Sequence, residues 1–255
     1  MIKGIYAAFS ALQSAWQFQD VVANNISNAN TVGYKRETVL HQAFRDVLLS
    51  YSSGSPIAPF ASRGKDVLGQ IGTGMFVAGL GTDFAPGELT LSANHLDFAL
   101  ERAFFAIQSP DGQVFYTRDG RFNRDANGDL ITSHGYHVLD VNGQPVNVPT
   151  EDVKVGADGT ITNDGDLVGQ IATLVFGAGE LTRAGESYFA SAATGRQING
   201  QLHQGFLEGS NTQLTDELTS MMSAQRTFQA NQTILARLDE TLNQAAGDLG
   251  QLRRE

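Results

Sequence analysis

Five histidines and a run of Asn and Asp are the residues of this chain with the strongest claim to chemistry. His41, His95, His134, His137 and His203 could transfer protons or ligate a metal, but they are scattered along the sequence. His134 and His137 are close, yet an i, i+3 pair on a strand points to opposite faces, a poor arrangement for holding one ion. Asn123, Asp125, Asn127, Gly128 and Asp129 copy the first half of a twelve-residue calcium loop. The last position of that loop should carry a bidentate carboxylate and carries His134 instead. The flanks read as strands, so a β-turn is the favoured reading. Gly69, Gly72 and Gly74 fit neither the dinucleotide nor the phosphate-loop spacing. No HExxH or GxSxG run occurs, and no acid and base can be nominated for cleaving a polymer. The expectation is a protein that is no enzyme, with no cofactor and no metal.

The elements point elsewhere. From Leu214 apolar residues recur at alternating spacings of three and four, through Leu218, Met221, Phe228, Leu235, Leu242 and Leu249, with Met222, Ile234, Leu238 and Ala245 beside them. That is the rhythm of a helix supercoiling against another helix. Gln225, Gln232 and Asp239 fall at alternate seam positions, where polar groups restrict register and partner number. Near the N-terminus Ile5, Phe9, Leu12, Trp16, Ala23 and Ile26 follow the same rhythm. The C-terminal run outreaches one small β domain, so it needs a partner helix. Isolated, both helices are expected to fray and to order on assembly.

Between the helices the chain reads as β structure. Val39–Tyr51 has helix-compatible spacing, through Leu40, Phe44, Val47 and Leu48, and Ser50–Ser62 reads as a flexible loop. From residue 96 short apolar runs alternate with turn signals at Pro110-Asp111-Gly112, Asn127-Gly128, Asn142-Gly143, Asp158-Gly159 and Asp164-Gly165. Such a pitch predicts an antiparallel barrel or sandwich. Ser210, Asn211 and Thr212 are candidate N-caps of the last helix, Asp216 and Glu217 suit its first turn, and Arg253 and Arg254 suit its end.

Composition excludes other classes. A formal net charge of -10 argues against nucleic acid as a partner, because neutralising phosphates needs clustered Lys and Arg. The absence of cysteine removes disulfides and thiolate metal sites. No run approaches the roughly 18 apolar residues of a membrane span, and no cleavable secretory signal is expected at the N-terminus.

The run N-N-I-S-N-A-N-T-V-G-Y-K-R, from Asn24 to Arg36, holds four asparagines in seven residues and then Gly33, a helix stop. In composition, order and distance from the N-terminus it resembles the signature of bacterial flagellar rod and hook proteins. The glycine-rich connector (G-Q-I-G-T-G-M-F-V from Gly69), the string from Tyr116 to Leu139, the segment Leu181–Gly195 and the run Gln204–Thr212 are similar to later blocks of that family. One departure stands out: Glu101-Arg102-Ala103 replaces a glycine-bearing turn before Phe104 and Phe105, which leaves that turn's geometry open.

The resemblance, together with the periodicity, implies an α+β fold. Terminal helices would form an inner coiled-coil-like layer, and the central residues an outer antiparallel β domain, barrel- or sandwich-like. The expected divisions are 1–36 for the first helix and motif, 37–95 for a connector, 96–203 for the β domain and 204–255 for the assembly helix. The interface would use Ile5, Phe9, Leu12, Trp16, Ile26, Leu214, Leu218, Met221, Phe228, Leu235, Leu242 and Leu249. The motif residues carried over are Asn24, Asn25, Asn28, Asn30, Thr31, Gly33 and Tyr34. The implied role is a structural rod subunit, most similar to distal- or proximal-rod members, that transmits torque to the hook. Its partners would be further copies, other axial proteins and the flagellar type III export apparatus, and its place the basal body. The rival reading is a non-catalytic adhesin or secreted scaffold with a β head on a helical stalk.

Overall fold

The computed structural model describes residues 2–52, 65–150, 153–163, 165–185, 187–198 and 202–252. Most of the expected loop through Ser62, and Arg253 and Arg254, lie outside these residues, as does the side chain of Leu249. The chain divides into two units. One comprises Met1–Asn24, Glu37–Gly81 and Thr215–Glu255, and the other Asn25–Arg36 and Thr82–Leu214.

The first unit is built on the two helices that the apolar rhythm predicts, α1 at Ile2–Ser27 and α2 at Leu214–Leu252. No proline interrupts either helix. Small residues let them approach: Ala11, Ser14 and Ala15 of α1 share a groove with Ser223, Ala224 and Thr227 of α2. A side chain at Gly4 would stand 3.7 Å from Leu238 Cδ1. Early residues of α1 thus face late residues of α2, so the helices run antiparallel. Two strands, Glu37–Ala43 and Met75–Thr82, pair with each other, and the first is tied to α1 by Ser14 Oγ and His41 Nδ1 at 2.9 Å.

Here one expectation fails. The stretch 39–51 is not helical: it forms Glu37–Ala43 and then Val47–Ser52, which pairs antiparallel with Lys65–Ile71. Spacings of three and four at Leu40, Phe44, Val47 and Leu48 fit a helix, but strand partners downstream, Lys65–Ile71 and Met75–Thr82, take the backbone hydrogen bonds instead. The phenyl rings of Phe44 and Phe76 lie 5.0 Å apart.

The second unit is all antiparallel in its strand pairs. Its largest sheet runs in the order Leu181–Arg183, Tyr188–Ser191, Val114–Thr117, Phe104–Gln108, His137–Val138, Leu130–Thr132, Phe122–Arg124, and Thr173–Val175 also pairs with Phe104–Gln108. The end strands do not pair with each other, so this sheet does not close into the barrel that the strand pitch allowed. A three-stranded sheet, Lys154–Val155, Thr160–Asn163 and Asp166–Gln170, lies beside it in sequence. Alternation puts Phe98, Leu100, Phe105, Ile107, Phe122, Leu130, Ile161 and Ile171 into one buried cluster. Phe105 and Phe122 meet edge to face at 5.0 Å.

The hairpins of this unit are closed by aspartates. Asp125 Oδ1 accepts the backbone N–H groups of Asn127 and Asp129, and Asp140 Oδ1 accepts those of Asn142 and Gln144. Asp158 accepts the N–H of Thr160. The half calcium loop is therefore a turn in which Asp125 serves its own backbone. Its carboxyl is held below the ordinary value of 3.8 by those donors, led by the Asp129 N–H. Asp158 is lowered by its bonds from Thr160. At Asp140 burial pulls the other way, but the Gln144 and Asn142 donors outweigh it.

Carboxyls depressed in the folded state favour folding above their unfolded value and lose that contribution as pH falls through the folded one. Stability of this unit, measured by urea midpoint, is expected to fall with pH below about 3.8. The triple Asp125→Asn, Asp140→Asn, Asp158→Asn protein should show a flatter dependence in that window. An equal slope in both proteins would assign acid unfolding to other groups.

Candidate functional site

The asparagine-rich motif after α1 folds into the β-rich unit, and the sequence explains how. Consecutive turns close through Ala29 N to Ile26 O and Thr31 N to Asn28 O. The side chains of Asn25 and Asn28 are buried: Tyr34 donates its hydroxyl to Asn25 Oδ1 at 2.9 Å, and Thr31 donates to Asn28 Oδ1 at 3.1 Å. Gly33 sits at φ 68 and donates to Glu208 O at 2.8 Å. A Cβ there would lie 2.3 Å from the backbone nitrogen of Asp119, so only glycine fits. Asn24 and Asn30 of the motif are exposed.

The motif delivers Lys35 to a buried charge cluster. Lys35 Nζ lies 2.7 Å from Glu208 Oε1, and both side chains are 0% exposed. Arg118 Nη1 lies 3.2 Å from Glu208 Oε2. The cluster makes further bonds: Lys35 donates to Ala85 O at 2.8 Å, Gly87 N donates to Glu208 Oε1 at 2.9 Å, and Arg118 Nη1 donates to Leu100 O and Glu101 O at 3.2 and 3.1 Å, while Arg118 Nε is buried without a partner among the described residues. These last bonds brace the start of the glycine-free turn at Glu101-Arg102-Ala103, where the guanidinium caps the Glu101 carbonyl and the Leu100 carbonyl before it. Arg118 also stacks 4.5 Å over Phe104. Arg183 lies 4.6 Å over Tyr34 and donates to the Lys35 carbonyl. Burial lowers the pKa of Lys35, and the Glu208 charge opposes that shift. Arg118 is lowered for the same reason.

Asn211 completes the arrangement. Expected as a helix cap, it accepts Arg36 N on Oδ1 at 2.8 Å and donates through Nδ2 to Asp83 O and Ala85 O. The helix begins three residues later.

The helix stripes divide between covered and open positions. On α1, Ala8, Ser14, Ala15, Val21 and Val22 are buried, Ile5, Leu12 and Ile26 half-buried. Phe9 and Trp16 are 57% and 58% exposed, and with Tyr6 they form an outward stripe. On α2 the less exposed positions are 217, 220, 221, 224, 228, 231, 235, 238, 242 and 245, which apart from 220 alternate by four and three. Met221, Phe228, Leu235 and Leu242 belong to that covered seam, while Leu214 and Leu218 stand open with Met222 and Ile234. The polar residues on that alternating line are Glu217 and Asn231. Gln225, Gln232 and Asp239 are exposed, because the seam runs instead through Ala224, Asn231 and Leu238, each one residue before them.

Lys35, Arg118 and Glu208 were not among the residues nominated from sequence, and Asn211 was nominated only as a helix cap. A signal existed: each is a polar residue inside one of the strings V-G-Y-K-R, Y-T-R-D-G and F-L-E-G-S-N, and their charges are complementary. Single charges in such strings read by default as solvated.

A β-rich unit built on a buried charge cluster, and a helical unit with exposed apolar stripes and no catalytic set among the described residues, fit the class of structural proteins. Comparison with known proteins narrows it. The chain matches the family described as flagella basal body rod protein over residues 5–35. It matches the flagellar hook protein FlgE/F/G D1 domain over 101–163 and the flagellar basal body rod FlgEFG protein C-terminal family over 203–247. It is 35% identical to the flagellar basal-body rod protein FlgG of Bacillus subtilis, over 96% of this chain and 98% of the relative. It is 33% identical to FlgF of Mesorhizobium japonicum, over 98% and 99%, and 32% identical to the flagellar hook-basal body complex protein FlhO of Bacillus subtilis, over 99% and 100%. The chain belongs to the flagellar basal-body rod protein family. Each of the three matched segments supplies one member of the buried cluster: Lys35, Arg118 and Glu208.

Proposed function

We infer that this chain is a structural subunit of the bacterial flagellar rod, placed in the basal body with other axial proteins. It polymerises through its terminal helices and carries torque toward the hook. The observation that carries the reading is the open stripe of Tyr6, Phe9 and Trp16 on α1 and of Leu214, Leu218 and Met222 on α2. Contiguous exposed apolar side chains mark an interaction surface, and each such residue, once covered, contributes about 1.5–3 kcal/mol. Contacts of different patches on successive copies extend as an open helix instead of closing a ring. In the assembly α1 and α2 form a coiled-coil-like layer, to which the four-and-three spacing of the covered seam lends support. The chain reaches this place through the flagellar type III export apparatus.

Deletion of the gene tests the reading. Basal bodies from the deletion strain should lack a complete rod and the cells should not swim, with both restored by the gene in trans. Swimming cells with rods of normal length, or a defect in adhesion alone, would contradict it.

A further inference from the structure

The β-rich unit is entered or left by the chain at four points, beside Asn25, Arg36, Thr82 and Leu214. The buried network reaches all four. Asn25 holds the Tyr34 hydroxyl. Arg36 gives its N–H to Asn211 and its carbonyl to Asp83 N at 2.9 Å. Asp83 and Ala85, just inside the third crossing, give their carbonyls to Asn211, and Ala85 O also receives Lys35 Nζ. Asn211 itself lies three residues before the fourth crossing. Glu208 binds Lys35, Arg118 and Gly87 at once and anchors these bonds in the sheet.

A purely stabilising core has no reason to place its costliest groups here. Apolar side chains of similar volume do as well or better than a buried ion pair. What charged, multiply bonded groups add is one fixed geometry, since their donors and acceptors are satisfied in few arrangements.

We propose that Glu208, Lys35 and Asn211 are positioning residues: they fix the separation and direction of the four chain crossings, and so of the roots of α1 and α2. The proposal rests on the rod-subunit reading for its purpose. In a filament every subunit repeats the same offset, so a loose root would spread the helix positions and weaken contacts that depend on register.

The chain has no cysteine, so Ser27→Cys with Gln213→Cys gives a unique pair of spin labels at two exposed positions of this unit. The distance distribution of the otherwise unaltered protein, by double electron–electron resonance, should be narrow. Lys35→Met with Glu208→Gln removes one cation and one anion together and adds no net buried charge. At a temperature where circular dichroism shows the fold intact, the distribution should be about twofold wider, because the bonded geometry is no longer unique. A width equal to that of the parent overturns the proposal. Should this variant not fold, Asn211→Ala decides, as it removes the ties to Arg36, Asp83 and Ala85 without touching a charge. It too should broaden the distribution, and an unchanged width overturns the proposal. The isolated protein is measured, so the rod reading can fail separately: narrow parent and broad variant distributions with no rod defect on gene deletion would sink that reading alone. Rods assembled normally from a variant with broadened roots would sink the positioning role and leave the rod reading standing.

Discussion

Glu208→Ala is expected to destabilise the β-rich unit by about 3–5 kcal/mol, the range for removing one partner of a buried ion pair. The substitution does more than delete a contact. It strands Lys35 and Arg118, both without solvent, and leaves the Gly87 N–H without its acceptor. For a unit of this size the corresponding fall in melting temperature is roughly 10 °C. Urea unfolding followed by far-ultraviolet circular dichroism measures it, and a loss under about 1 kcal/mol would show the cluster to be replaceable by water.

The pH dependence of that variant carries a sign. Lys35 already has a pKa below its ordinary 10.5 because of burial, with Glu208 opposing the shift. Without Glu208 the depression deepens. The unfolded chain then binds more protons than the folded one between the depressed value and 10.5, so stability rises with pH in that window. The deficit of Glu208→Ala relative to the parent should therefore shrink from pH 7 toward pH 9 to 10.

Trp16→Asp and Leu218→Asp are expected to abolish incorporation into rods while leaving the isolated chain folded. Both side chains are largely open, at 58% and 48% exposure, and substitutions at open sites usually change stability within about 0.5 kcal/mol. In the assembly the same positions would have to bury a carboxylate, at a penalty of several kcal/mol in every repeated contact. Phe228→Asp and Leu235→Asp should behave differently. Those residues lie on the covered seam of α2, so their loss injures the helical unit before assembly is reached. Circular dichroism of the purified chain and swimming in soft agar separate the cases. Full motility with Trp16→Asp would remove this residue from the interface.

The helices and the hairpins were legible in the sequence because their signals are local. Apolar residues at three and four gave α1 and α2, and the Asp-x-Asn-Gly turns gave the hairpins. What was not legible depended on partners far away in the chain. Leu40, Val47 and Leu48 fit a helix by spacing and are held in strands by residues 65–82, with Phe44 between those strands. The stripes named one apolar line per helix where there are two, one covered and one open, because periodicity locates a face but not the neighbour that covers it. The motif residues Asn25, Asn28, Thr31, Gly33 and Tyr34 were named, but not their purpose. That purpose needs Arg118 and Glu208, 83 and 173 residues beyond Lys35. The Asn-rich run is the plug by which the root of α1 is set into the β-rich unit.

The central claim is that the open stripes of α1 and α2 are covered when the rod forms. Gln13 is exposed and lies between Phe9 and Trp16 on the outward face of α1, and a cysteine there is the only thiol in the chain. Its rate of reaction with a maleimide, compared between the purified chain and isolated basal bodies, measures the covering directly. The account predicts a thiol that reacts freely in the isolated chain and is protected in the basal body. Equal rates in the two would contradict it.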